Sequence, residues 1–171
     1  MVKIQSASLV QAAEIAELYV RTRRLAYSSF FPPEALAAMS VDEETKRWAE
    51  RLAGDGVTCV AVAEDRDLLG FTHIDWQGRP EDDVPEVAYV YVAKEHQGEG
   101  LGRRLITDAE AAIVGRGYTA AVVWAYEANM PARRFYERCG WFDDGARRAS
   151  NSAPGECLAR YRIVLPVGDL S

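Results

Sequence analysis

The stretch Gln97-Gly98-Glu99-Gly100-Leu101-Gly102-Arg103-Arg104 constrains this chain more than any other. It lies between an alternating β-type run, residues 84–92, and a helical pattern over residues 100–114. A strand that turns directly into a helix leaves free main-chain amides at the helix start, where the dipole favours an anion. Glycines at alternate positions let the backbone approach a phosphate without Cβ clashes. Arg103 and Arg104 add positive charge just inside the helix. Two common phosphate loops are excluded. The P-loop needs Lys-Ser or Lys-Thr, and neither follows. The dinucleotide fingerprint G-x-G-x-x-G needs glycine at position 103 or 105, where the chain has Arg103 and Leu105. The pattern that fits is Q/R-x-x-G-x-G, met by Gln97, Gly100 and Gly102. Taken alone, the loop suits a plain tight turn as well as an anion site.

Changes of hydrophobic period set the surrounding elements. Residues 2–7 read as a short strand, and Ser8-Leu9-Val10-Gln11 fits a capping box opening a helix to about residue 27. Phe30-Phe31-Pro32-Pro33 breaks it, a short helix over 34–39 follows, and Ser40-Val41-Asp42-Glu43 opens another to residue 53. Residues 57–63 and 68–76 form a hairpin around a polar turn. The run 84–92 is a central strand, with Val87, Tyr89 and Tyr91 on one side and Ala88, Val90 and Val92 on the other. After the glycine loop and its helix come a buried-type strand over 119–125 and a helix over 129–139, stopped by Gly140. Two strands, 141–149 and 157–165, close the chain. No linker or repeat divides it, so residues 1–171 are expected to form one domain. The expected class is α+β, with a mixed, mostly antiparallel sheet of about 6–7 strands, one central parallel pair and flanking helices.

Two segments resemble one family. The loop pattern, preceded by Tyr89-Val90-Tyr91-Val92 and followed by Gly102-Arg103-Arg104-Leu105-Ile106, is similar to the acetyl-CoA pyrophosphate loop of the GNAT superfamily of N-acetyltransferases. Downstream, the segment from Asn129 to Phe142 is similar to that family's N-x-x-A-x-x-F-Y-x-x-x-G-F, with Trp141 where phenylalanine is usual. The resemblance covers about residues 57–142 well and the flanks in outline. It implies a central sheet splayed at its parallel pair, with acetyl-CoA as co-substrate and no metal. It implies that Gln97, Gly98, Glu99, Gly100, Leu101, Gly102 and Arg103 hold the pyrophosphate, while Val90, Tyr91 and Val92 pair with the pantetheine arm. An amide near Val90 or Tyr91 would then face the carbonyl oxygen. Asn129 is expected to touch pantetheine, although a helix N-cap explains it equally well.

Acetyl transfer to an amine needs a neutral amine, donors for the carbonyl oxygen and a proton for the departing thiolate. The resemblance implies direct attack, with Tyr136 as the general acid. Glu86 stands where related enzymes place a carboxylate base acting through water; Asp75 and His73 are alternatives, as is loss of the proton to solvent. Cys139 is read as core. The acceptor wall is expected from the first two helices, with Tyr27, Phe31, Asp75 and Trp76 as candidates.

The 26 acidic against 20 basic residues, a net charge of −6, argue against non-specific nucleic-acid binding and tilt slightly toward a cationic acceptor. Cys59, Cys139 and Cys157 fit neither a disulfide framework nor a metal site. With no signal-like start and no membrane-length apolar run, a cytoplasmic protein is expected. A primary amine of a small molecule or peptide is the expected partner, and a homodimer is possible. Two other readings stay open: a non-catalytic acyl-CoA-binding module, and transfer of a larger acyl group such as succinyl.

Overall fold

In the computed structural model, which describes residues 1–166, seven strands form one sheet in the order β1-β2-β3-β4-β5-β7-β6. These are β1 (Lys3–Ser6), β2 (Val57–Val62), β3 (Leu68–Asp75), β4 (Glu86–Val92), β5 (Ala120–Tyr126), β6 (Phe142–Ala149) and β7 (Cys157–Val164). Every neighbouring pair is antiparallel except β4 and β5. The expected α+β class with a central parallel pair is what the chain adopts. The position of β7, between β5 and β6, follows from burial. Ala159, Tyr161 and Ile163 of β7 are buried, while β6 is largely exposed and suits the edge.

The helices are α1 (Ala12–Ala26), α2 (Pro33–Ala37), α3 (Val41–Ala53), α4 (Leu101–Gly115) and α5 (Met130–Arg138). Both predicted serine caps form, the first opening a 3-10 turn over Leu9–Gln11 that leads into α1, the second without a return bond from Glu43 to the Ser40 N–H among the described residues. The Ser8 N–H donates to Gln11 Oε1 at 3.0 Å ahead of α1, and Ser40 Oγ accepts from the Glu43 N–H at the start of α3. Helices α1 and α3 cover one sheet face, burying Ile15, Ala16, Tyr19 and Trp48 against Phe71, with Tyr89 and Tyr91 packed on them. Helices α4 and α5 cover the other, where Ile106, Ile113 and Tyr136 meet Ile74, Val87 and Tyr161. Among the described residues, no helix is long and apolar enough to cross a membrane.

One expectation about β4 is corrected. Val87 does not share a face with Tyr89 and Tyr91. The register against β3 slips between His73 and Ile74, which pair with Tyr89 and Val87, so Ala88 is an extra residue without a partner. This bulge reverses the side-chain alternation. Val87 therefore joins the α4 face, and the two tyrosines face α1. The boundaries also tighten: β4 starts at Glu86, after Pro85, and β6 starts at Phe142 because Trp141 is buried and donates to Glu110 Oε1 at 2.8 Å.

The parallel pair is joined at a single register position, Glu86 with Val122. Beyond it, β4 and β5 diverge, and the gap between them positions everything that follows.

Candidate active site

The gap widens into a cleft of about 1020 Å³, which runs between the α1–α3 side and the α4–α5 side. Along one wall, β4 offers unpaired main chain. The Ala93 N–H donates to Leu69 O on β3, so the strand's alternation directs the main-chain groups of Val90 and Val92 away from β3 and into the gap. The Val92 carbonyl accepts from Gln97 Nε2 at 3.0 Å, which ties the strand to the loop after it.

In that loop, Gly98 and Gly100 adopt φ of +86° and +80°, conformations that side chains disfavour. A Cβ at either position would meet nothing within 4 Å, so these glycines line open space. Gly102 has a different reason: its Cβ would lie 3.1 Å from Phe135, so its absence lets α5 press against the first turn of α4. The main-chain N–H groups of residues 98–103 have no hydrogen-bond acceptor among the described residues. They form a set of free donors at a helix start, with Arg103 and Arg138 beside them. Arg103 also donates to the Arg138 carbonyl, joining the start of α4 to the end of α5. Two residues expected at this site do not line the cleft: the Leu101 side chain is buried in a core cluster, and Glu99 is exposed beside His96.

Helix α5 supplies the opposite wall. Asn129 Oδ1 caps it by accepting the Ala132 N–H at 3.3 Å, and Asn129 lines the cleft as well. Tyr136 packs its ring near Trp141 and Tyr161, yet it lines the cleft, and its hydroxyl has no hydrogen-bond partner among the described residues. Burial pushes this phenol well above its ordinary range, so it keeps its proton. Cys139 packs against the same core and also borders the cleft.

Glu86, Asp75 and His73 all reach the other half of the cleft. Glu86 is buried, and desolvation raises its carboxyl pKa despite Arg79, whose Nε lies 3.2 Å from Oε2. His73 is tuned the opposite way. Burial, with the charge of Arg51, lowers it to about 4, and its Nδ1 lies 2.8 Å from Thr58 Oγ1. It is a neutral, weakly basic ring. The unfolded chain therefore binds a proton at this site between about pH 6.5 and 4 that the folded chain refuses, so stability falls as the pH drops through that window. The loss is on the order of 3 kcal/mol. In pH-dependent melting, His73→Gln is expected to flatten the slope between pH 6.5 and 4; a slope equal to the wild type's would contradict this.

Of the aromatic candidates for the acceptor wall, Tyr27 lines the cleft, and its hydroxyl lies 3.2 Å from that of Tyr91. Phe31 is a layer behind, packed on Tyr27 and Tyr126. Trp76 is not brought to the cleft. It follows Ile74 onto the opposite sheet face, where it stacks on Tyr118 beneath Arg116. Sequence reasoning passed over Arg23, Arg51, Arg148, Trp124 and Tyr126, which all border the cleft. An arginine on an amphipathic helix or edge strand gives no signal of its own.

Known proteins share this fold. The acetyltransferase (GNAT) family model matches residues 13–141. An uncharacterized N-acetyltransferase of Bacillus subtilis, YuaI, is 26% identical over 140 residues, covering 80% of this chain and 78% of its own. The PaiA N-acetyltransferase of Thermoplasma acidophilum, solved with coenzyme A, superposes with a TM-score of 0.77 at 15% identity, over 95% of this chain and 99% of that one. The Salmonella typhimurium protein yncA, solved with its cofactor acetyl-CoA, gives 0.73 at 20% identity, over 97% and 95%.

Proposed function

The chain belongs to the acetyltransferase (GNAT) family, and from that premise we propose that it moves an acetyl group from acetyl-CoA to a primary amine of a small molecule or peptide. The observation that carries this reading is the open edge of β4 running into a loop of six free amides. That combination suits a long ligand with amide groups along an arm and a pyrophosphate at its end. The related structures solved with coenzyme A and acetyl-CoA support the same ligand.

Acetyl-CoA supplies the activated thioester. The amides of residues 98–103 hold the pyrophosphate, with Arg103 and Arg138 adding charge. Val90 and Val92 pair with the pantetheine arm as a neighbouring strand would, and the Val90 N–H is placed to donate to the carbonyl oxygen as it gains negative charge. Glu86 takes the amine proton through water, and its burial moves its pKa toward the range a base at neutral pH requires. Tyr136, kept protonated, donates to the departing sulfur. Both reactants sit in one cleft, so no covalent enzyme species is needed.

Coenzyme A release measured across a panel of primary amines tests the reaction. Binding of acetyl-CoA with no turnover on any amine would favour a non-catalytic acyl-CoA-binding module. The base has its own test. Glu86→Gln is expected to lower kcat/KM by about 10²-fold. The loss should be greatest at low pH, where little amine is already neutral, and should shrink as the pH rises. An equal loss at every pH would assign deprotonation to solvent.

A further inference from the structure

The acceptor half of the cleft has the opposite charge to the protein as a whole. The chain carries a net charge of −6, yet Arg23, Arg51, Arg79 and Arg148 border this half against two carboxylates, Asp75 and Glu86. Of these arginines only Arg79 lies within 4 Å of a carboxylate, that of Glu86, among the described residues.

The three unpaired guanidiniums are held by aromatic faces. Arg23 sits 4.7 Å from the Tyr27 ring centroid and donates to the Tyr19 hydroxyl. Arg51 lies 5.0 Å from both Trp48 and Tyr89, and its buried Nη1 has no hydrogen-bond partner. Arg148 lies 4.5 Å from Trp124 and close enough to Glu86 to act on its carboxyl. A stacked guanidinium keeps its planar N–H fork free for an incoming oxyanion. A buried charge with an unsatisfied donor is costly unless a partner arrives.

The phosphates of the cofactor do not account for this set. Their donors lie at the far end of β4, on the α4–α5 side, whereas Arg23 and Arg51 come from α1 and α3 and Arg148 from β6. A purely cationic amine would meet net repulsion here.

We propose that the acceptor carries its own anion: a small zwitterionic amine of amino-acid type, with its amino group at Glu86 and its carboxylate or phosphonate on the unpaired arginines. This rests on the acetyl-transfer reading. It reverses the slight tilt toward a cationic acceptor drawn from the overall charge, because the counterions that matter are the ones lining the cleft.

The test compares free L-amino acids and 2-aminoethylphosphonate with their uncharged-headed counterparts, the amino-acid amides and ethanolamine, with spermidine as the cationic arm. Coenzyme A release is read for each, beside the thermal shift with acetyl-CoA alone. At least one acid is expected to exceed its amide by about tenfold or more in kcat/KM, the value of one charge-assisted contact. In Arg51→Gln and Arg148→Gln this ratio should collapse while the acetyl-CoA shift persists. Amides or spermidine acetylated as well as or better than the acids would overturn the inference and leave acetyl transfer standing. So would failure of every anionic amine in the presence of bound acetyl-CoA. Loss of the acetyl-CoA shift in the wild type would remove the acetyl-transfer reading, and this inference with it.

Discussion

Tyr136→Phe is expected to lower turnover by about 10²-fold or more while leaving acetyl-CoA affinity nearly unchanged. The ring is part of the core beside Trp141 and Tyr161, and phenylalanine keeps that packing. Only the hydroxyl goes, and among the described residues it bonds to nothing. Folding therefore loses no internal hydrogen bond, and the deficit should fall on the step that protonates the departing sulfur. Single-turnover rates and acetyl-CoA titration separate the two quantities. Unchanged turnover would remove Tyr136 from the proton path and leave it a purely structural residue. A matching loss of cofactor affinity would point to a binding role instead.

Gly100→Val is expected to weaken acetyl-CoA binding by at least about 30-fold. Two effects combine. At φ +80° a β-branched residue is strained by roughly 1–3 kcal/mol, so the loop that presents the free amides would shift. The new side chain would also project into the space where the pyrophosphate is proposed to lie, since nothing now lies within 4 Å of that Cβ. A control separates strain from site. Gly117 has φ +91°, has the same empty surroundings and lies beyond the far end of α4, outside the cleft. Gly117→Val should cost similar folding stability with no effect on acetyl-CoA. Equal effects of the two substitutions on cofactor affinity would show that the Gly100 loop is not the phosphate site.

Much of the fold was legible because local rules and tertiary packing agree. The two serine caps start helices where the Ser-x-x-Gln and Ser-x-x-Glu spacings place them, and the glycine loop turns a strand into a helix as its residue types demand. The β4 bulge was not legible. Alternation assumes an unbroken register, and the slip at Ala88, which sends Val87 to the α4 face and Tyr89 to the α1 face, has no residue-type signal in the strand. The same limit explains Trp76. One residue decides the face of a strand end, so Asp75 borders the cleft while Trp76 packs beneath α4. The place of β7 inside β6 was hidden for another reason, since chain order does not dictate strand order.

The candidate site divides along a similar line. The loop, Asn129 and Tyr136 lie in contiguous motifs and were visible as residue patterns. The acceptor half is assembled from α1, α3, β3, β5 and β6, elements distant in sequence. Arg23, Arg51 and Arg148 look like ordinary solvated positions until the fold gathers them around one cavity. A net charge counted over the whole chain could not reveal a local reversal of sign.

Thermal unfolding with and without saturating acetyl-CoA tests the central claim most directly. A ligand at about 100 times its dissociation constant adds roughly 2.7 kcal/mol to the folded state. For a domain of this length that is a rise in Tm of about 5–10 °C. Such a rise, matched by coenzyme A and cut to about a third or less in Gly100→Val, is the predicted result. An unchanged Tm with acetyl-CoA, coenzyme A and succinyl-CoA alike would contradict the account and leave the splayed sheet and its loop without their proposed ligand.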